Sequence, residues 1–327
     1  MDAGRDRWAS LAGRPGLSPD ILELESALLD WRTSVGERLE GGYPLASADP
    51  SPLSGLTGDA RPEELPQDSR TPRDPEGASR CLAARIDPLP PADVLFAAAS
   101  DLLALIESRL PSCAPLVRWW NEQTGRDARD RFAADWFTAA WRRDGAAMEG
   151  LSKAVGLDAD LLAWCGRELC RPFFHRLGRL PSAAASDPSL ANAACPVCGG
   201  PPRMARLERE EGHRFLWCDL CDVQWAFRRV TCPFCGNADQ KELGYLAIEG
   251  LDSHRIDVCE KCRGYLRTVA ERGMPEGQRI DYLAEDAGTP HLCLVAEGKG
   301  YRPGGWERGS PAPAASERAG GAAAGGA

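Results

Sequence analysis

The sequence predicts an α+β chain: a helical N-terminal half, then two tandem four-cysteine ribbons of zinc-ribbon type, then a short C-terminal helix. Three observations carry this expectation. Apolar residues recur at helical spacing through residues 1–185. Four Cys-x-x-Cys pairs crowd into the stretch from Cys195 to Cys262. Between those pairs lie short alternating segments rich in β-branched and aromatic residues.

Ser18-Pro19-Asp20 reads as a helix start, with an N-cap, a proline at the first helical position and an acid in the first turn. Ile21, Leu24, Leu28, Trp31, Val35 and Leu39 follow on one side. Residues 41–91, rich in Pro, Ser, Asp and Gly, read as a long loop. A second helix is expected over Ala92–Leu110, with breaks at Pro111 and Pro115. A third covers Arg126–Arg143, where Phe132, Ala133, Trp136, Phe137, Ala140 and Trp141 form an apolar stripe that reads as core. The neighbouring Trp119-Trp120 pair also reads as core. A fourth helix runs from Asp158 to Cys170, and Pro172 should end or kink it. Pro181–Ala194 reads as a linker.

Strands are expected at Phe215–Trp217, Val223–Phe227, Gly244–Ile248 and Tyr265–Val269. A polar turn follows Arg272, and Thr289-Pro290 reads as N-cap and first position of a helix over His291–Ala296. The predicted organisation is a mainly helical domain at 1–185, a first ribbon at 190–229 and a second at 230–275. A C-terminal segment with a short helix occupies 276–305, and a disordered tail 306–327.

The cysteine array is the chemically informative part. The pairs are Cys195/Cys198, Cys218/Cys221, Cys232/Cys235 and Cys259/Cys262, separated by 19, 10 and 23 residues. Two pairs about 15–20 residues apart make the usual ribbon site. Eight ligands then fill two four-cysteine sites, first pair with second and third with fourth, although an interleaved pairing also satisfies the count. Pro196 and Pro233 preset φ for a tight turn, and Gly199 and Gly236 can take the positive φ that completes it. Asp222 and Arg263 occupy the equivalent glycine positions in the other two knuckles. Four thiolates suit zinc or a single iron, and spacing does not choose between them. Trp217, Trp225, Phe227, Phe234 and Tyr265 could shield the sites, and Arg228 and Arg229 could offset their charge.

Such sites staple a ribbon of roughly 35 residues that has no adequate core of its own. A thiol–disulfide role for one pair fits poorly, because that motif needs a βαβ context and one active pair. The remaining cysteines (81, 113, 165, 170 and 293) read as buried free thiols, and His175, His213, His254 and His291 as isolated. His254 alone lies near enough to the array to be considered a ligand.

The formal charge is −9, and Cys195–Tyr265 carries ten Lys/Arg against eleven Asp/Glu, which disfavours phosphate binding. A nucleic-acid-binding zinc ribbon is therefore the runner-up rather than the leading reading. An electron carrier for small molecules would need a second cofactor site, and none is evident. No apolar run approaches the ~20 residues that span a bilayer. Met1–Arg14 lacks the apolar region of a secretory signal, so the expected location is the cytoplasm.

The run from Cys195 to Val269 resembles the formate dehydrogenase accessory protein FdhE family. The residues that carry the resemblance are Cys195-Pro-Val-Cys-Gly-Gly-Pro-Pro, Leu216-Trp-Cys-Asp-Leu-Cys221, Arg229-Val-Thr-Cys-Pro-Phe-Cys-Gly236 and Cys259-Glu-Lys-Cys-Arg-Gly-Tyr-Leu266. Glu285–Leu292 and Gly300-Tyr301-Arg302 resemble the family's C-terminal end. The long loop at 41–91 and the Ala/Gly tail depart from it. The resemblance implies rubredoxin-like modules in which the eight cysteines hold two iron ions. It also implies a cytoplasmic, non-catalytic factor that binds the catalytic subunit of respiratory formate dehydrogenase during maturation, with no nucleic acid and no membrane insertion.

Overall fold

The computed structural model describes residues 17–40, 81–85, 88–180 and 193–304. The expectations for the rest of the 41–91 loop, for most of the 181–194 linker and for the 306–327 tail lie outside the described residues.

The N-terminal half is helical. Helix α1 (Pro19–Glu40) starts where expected: the Ser18 hydroxyl accepts the Ile21 N–H at 3.3 Å. A single-turn helix α2 (Leu82–Arg85) precedes α3 (Ala92–Glu107), α4 (Ala114–Glu122) and α5 (Arg126–Arg142). Helices α6 (Gly145–Val155) and α7 (Ala159–Gly178) complete the bundle. Proline at the start of a helix costs nothing, since its missing N–H would have no partner there. Hence Pro111 opens a 3₁₀ turn and Pro115 opens α4, where the sequence suggested only breaks.

Helix α7 is the central element, packing against α1, α3, α5 and α6. It does not end at Pro172 but continues to Gly178. A proline inside a helix costs about 3 kcal/mol. Phe173, Phe174 and Leu177 beyond it are buried in the main core, at about 1.5–3 kcal/mol each, which offsets that cost.

The C-terminal half is one seven-stranded sheet: β1 (Met204–Leu207), β2 (Arg214–Trp217), β3 (Gln224–Phe227), β4 (Leu243–Ala247), β5 (His254–Cys259), β6 (Gly264–Ala270) and β7 (Arg302–Pro303). The order is β3-β2-β1-β6-β5-β4, with β7 beside β6. Each ribbon is an antiparallel three-stranded meander. The two ribbons join through parallel pairing of β1 with β6, Met204 opposite Arg267 and Leu207 opposite Ala270. Two short helices follow, α8 (Tyr282–Gly288) and α9 (Pro290–Gly298), where a single one was expected. Thr289 does not cap α9. Its hydroxyl donates to the Glu285 carbonyl at 2.6 Å and accepts from buried Arg267 at 2.9 Å.

The halves are pressed together. Cys195, Cys198, Cys218 and Cys221 share one buried cluster with the helices, as do Val197, Leu216 and Trp225. The second ribbon has its own smaller core of Ile256, Val258 and Tyr265 against Leu292 and Ala296. At the end of α7, a Cβ on Gly178 would stand 2.3 Å from the Cys221 carbonyl, so only glycine admits this approach. The seam is also ionic. Arg167 grips Asp219 through both carboxylate oxygens at 2.9 and 2.8 Å. Arg171 reaches Asp219 at 3.4 Å and Glu168 at 3.1 Å. Glu168 also receives Arg32 of α1. Burial would raise the Asp219 pKa, but the two guanidiniums outweigh that and hold the carboxylate well below its usual range.

Glu168 is almost fully buried between two arginines. Glu168→Gln is therefore expected to destabilise the folded chain by about 3 kcal/mol, because it leaves buried guanidinium charge uncompensated. Denaturant unfolding followed by tryptophan fluorescence checks this, and an unchanged midpoint would remove the network from any structural role.

Candidate metal centres

Each Cys-x-x-Cys forms a knuckle closed by the same hydrogen bond. The N–H after the second cysteine donates to the carbonyl of the first: Gly199 to Cys195 at 2.8 Å, Asp222 to Cys218 at 2.9 Å, Gly236 to Cys232 at 3.0 Å and Arg263 to Cys259 at 2.8 Å. Closure requires positive φ at the donor. All four residues have it, at 72°, 54°, 69° and 59° respectively. For a non-glycine residue this costs about 1 kcal/mol.

Two local anchors offset that cost. The Asp222 carboxylate accepts the Trp217 indole N–H at 2.9 Å. Arg263 pairs with Glu260, donates to the Lys299 carbonyl at 2.9 Å and lies 4.1 Å over the Tyr301 ring. The fourth knuckle is thus held by the chain's C-terminal segment.

The knuckles bring the sulfurs into two groups, Cys195/Cys198/Cys218/Cys221 and Cys232/Cys235/Cys259/Cys262, each with its four sulfurs within 4.8 Å of one another. First pair meets second and third meets fourth, so the interleaved arrangement does not occur. A tetrahedral ion with four thiolates at about 2.3 Å needs sulfurs about 3.8 Å apart. Cys198 and Cys218 stand 3.6 Å apart, Cys232 and Cys262 3.7 Å, Cys235 and Cys259 3.8 Å. Backbone N–H groups of Gly200, Phe234 and Gly264 point at the sulfurs of Cys198, Cys232 and Cys262 from 3.4 to 3.5 Å. The donor set and its dimensions therefore fit a divalent ion in each group.

The thiol electrostatics agree. Burial drives the Cys195 and Cys221 thiols well above their ordinary pKa, while hydrogen bonding with Cys195 holds Cys198 well below. In the second group, hydrogen bonding with Cys232 holds Cys262 at about 5, and burial pushes Cys235 to about 11. Four sulfurs this close share protons unless a cation replaces them.

The two groups differ in surroundings. All four sulfurs of the first belong to buried residues, whereas Cys235 and Cys262 of the second are half-exposed. The helical half clamps the first group. Leu82 and Ala83 N–H groups donate to the Pro196 and Val197 carbonyls at 2.9 Å, and the Trp141 indole reaches the Cys198 carbonyl at 3.4 Å. Arg143 and Arg167 stand near enough to Cys198 and Cys218 to feel their charge. Arg229 lines a pocket at the second group.

Of the expected shielding residues, Trp217, Trp225, Phe227 and Tyr265 are buried and Phe234 is partly so. Cys81, Cys113, Cys165 and Cys170 are buried outside both groups. His254 is not a ligand, because Glu285 engages its Nε2 at 2.9 Å and Ser253 its Nδ1 at 2.9 Å. His213 is not isolated. It sits between Glu208 and Glu211 on the β1–β2 hairpin, each 3.1 Å from one ring nitrogen. With both nitrogens engaged by carboxylates, that trio reads as an ion-pair cluster.

A helical half clamped onto two fused four-cysteine ribbons defines a class, that of double-ribbon proteins with two sulfur groups of a size that fits a metal ion. The pattern of the FdhE central domain matches residues 194–229. The protein is 34% identical over 110 residues to an FdhE homolog of Aquifex aeolicus, covering 33% of this chain and 38% of that one. It is 35% identical over 112 residues to an FdhE homolog of Stutzerimonas stutzeri, covering 33% and 35%. The matched stretches span less than half of those relatives' length. The crystal structure of the FdhE protein from Pseudomonas aeruginosa has the same fold, with a TM-score of 0.54, 21% identity and 92% of both chains covered. The double-ribbon half of the chain is therefore similar in sequence to FdhE homologs, and the whole chain shares the fold of one solved FdhE protein.

Metal counting on anaerobically purified protein is expected to give two ions per chain, one for each cysteine group. Cys262→Ser should lower the count to about one and leave helical-half stability nearly unchanged. Cys198→Ser should lower the count equally and also depress the main thermal transition, since the first group lies in the main core. A folded wild-type chain with fewer than two ions would contradict the assignment.

Proposed function

We propose that this chain is a metal-binding accessory factor for the maturation of respiratory formate dehydrogenase. It acts in the cytoplasm, binds the enzyme's catalytic subunit and holds an iron ion at each four-cysteine site. The observation that carries this reading is the conjunction of two tetrathiolate groups with the FdhE central-domain pattern over 194–229. Closed four-sulfur sites leave no open coordination position, so the chain's part is recognition, with the metals as structural or electron-storing elements rather than a catalytic centre. Among the described residues no helix is long and apolar enough to cross a membrane, which is compatible with a factor that meets its client before export.

Iron rather than zinc follows from the family resemblance. Thiolate softness suits either ion. Iron in four thiolates would give the visible absorption of a ferric thiolate centre, bleached on reduction, whereas zinc would give none.

The tagged chain, expressed anaerobically in its own host, is expected to bring down a formate dehydrogenase catalytic subunit. A variant with Cys195, Cys198, Cys232 and Cys235 changed to Ser should lose it. Recovery of nucleic acid alone would favour a zinc-ribbon nucleic-acid binder and defeat the maturation reading.

A further inference from the structure

The second cysteine group opens on a pocket of about 160 Å³. Its walls come from the loop after β3, from strands β4 and β5, and from Cys232 and Cys259. Three guanidiniums line it, Arg214, Arg229 and Arg255, against one carboxylate, Asp257. That carboxylate is already saturated. It takes Arg214 at 3.1 Å, Arg255 at 2.8 Å and the Thr268 hydroxyl at 2.9 Å. Arg214 is buried, and Arg229 makes no ion pair among the described residues. In the cleft between the halves, Arg167, Arg171 and Arg203 each meet a carboxylate, of Asp219, Glu168 and Asp286 respectively.

Apolar groups flank the excess positive charge. Among the described residues the exposed large hydrophobics include Val230 at 45% and Tyr245 at 60%, and both line this pocket. Tyr245 lies on β4, the edge strand of the sheet, with the Arg255 guanidinium 4.8 Å over its ring. An exposed aromatic near Arg229, a guanidinium without an ion pair among the described residues, at an unpaired strand edge, is the composition of a recognition surface.

We infer that this pocket is the docking point for the partner protein and takes an aspartate or glutamate side chain flanked by an apolar or aromatic one. The carboxylate meets Arg229 and Arg255, and the apolar neighbour covers Val230 and Tyr245. The partner then sits on the half-exposed metal site, while the first site stays sealed in the core. This rests on the proposed function for the partner's identity but not for the pocket's chemistry.

Two measurements separate those claims. In the first, zinc-loaded, isotope-labelled protein is titrated with the peptide acetyl-Leu-Asp-Phe-amide and followed by NMR. Shift changes are expected at Thr231, Gly244 and Tyr245, with binding about tenfold weaker for the Asn peptide and for Arg229→Ser, the loss of one charge-assisted hydrogen bond. Equal binding of the Asn peptide, changes located elsewhere, or no binding overturns the pocket. In the second, the intact chain and Arg229→Glu are compared for capture of a formate dehydrogenase catalytic subunit. Capture lost in Arg229→Glu supports docking here, and equal capture by both overturns it. Selective peptide binding with no subunit captured by the intact chain keeps the pocket and defeats the maturation reading.

Discussion

Eight cysteine sulfurs in two groups of four, packed within 4.8 Å of each other, are the constraint on which the C-terminal half depends. Thiolates cannot be buried at such distances without a cation between them, and protonated thiols would forfeit the geometry that the knuckles impose. The strands are short, four to seven residues apart from the two-residue β7, and the second ribbon's own core is small. Such a meander does not hold itself together by apolar burial. The knuckle hydrogen bonds, the positive φ at four equivalent positions and the parallel seam between β1 and β6 all follow from placing the sulfurs.

The two groups are equivalent in local chemistry and unequal in setting. The first is continuous with the helical core and is flanked by α2, by Trp141 and by the Arg167–Asp219 bridge. Its ion would act as a bolt between the halves. The second is anchored by the C-terminal segment through Arg263 and Tyr301, and keeps two cysteines in contact with solvent. The first site is sealed within the main core, and the second lies open at the surface.

Much of this was legible in the sequence because the decisive signals are local. The Cys-x-x-Cys spacing, the glycine or its substitute one residue later, and the apolar stripe at Phe132–Trp141 each encode their structure within a few residues. Even the unlikely Arg263 adopts the turn conformation that its position demands. Strand β5 escaped notice because its outward positions carry Arg255 and Asp257, and β1 because it is four residues long behind Pro201-Pro202. Helix α7 outran Pro172 because tertiary burial outweighs a local preference. The Arg32–Glu168–Arg171–Asp219 network includes a direct contact across 136 positions, Arg32 to Glu168, so no window of sequence could announce it. The interleaved pairing of knuckles was likewise excluded only by three-dimensional proximity.

If each ion is held by four cysteine sulfurs and nothing else, X-ray absorption at the metal edge of the anaerobically purified chain will show it. Four sulfurs at about 2.3 Å and no light-atom ligand are expected. A shell containing nitrogen or oxygen, or averaging fewer than four sulfurs, would contradict it and would turn attention to the histidine and carboxylate groups excluded here.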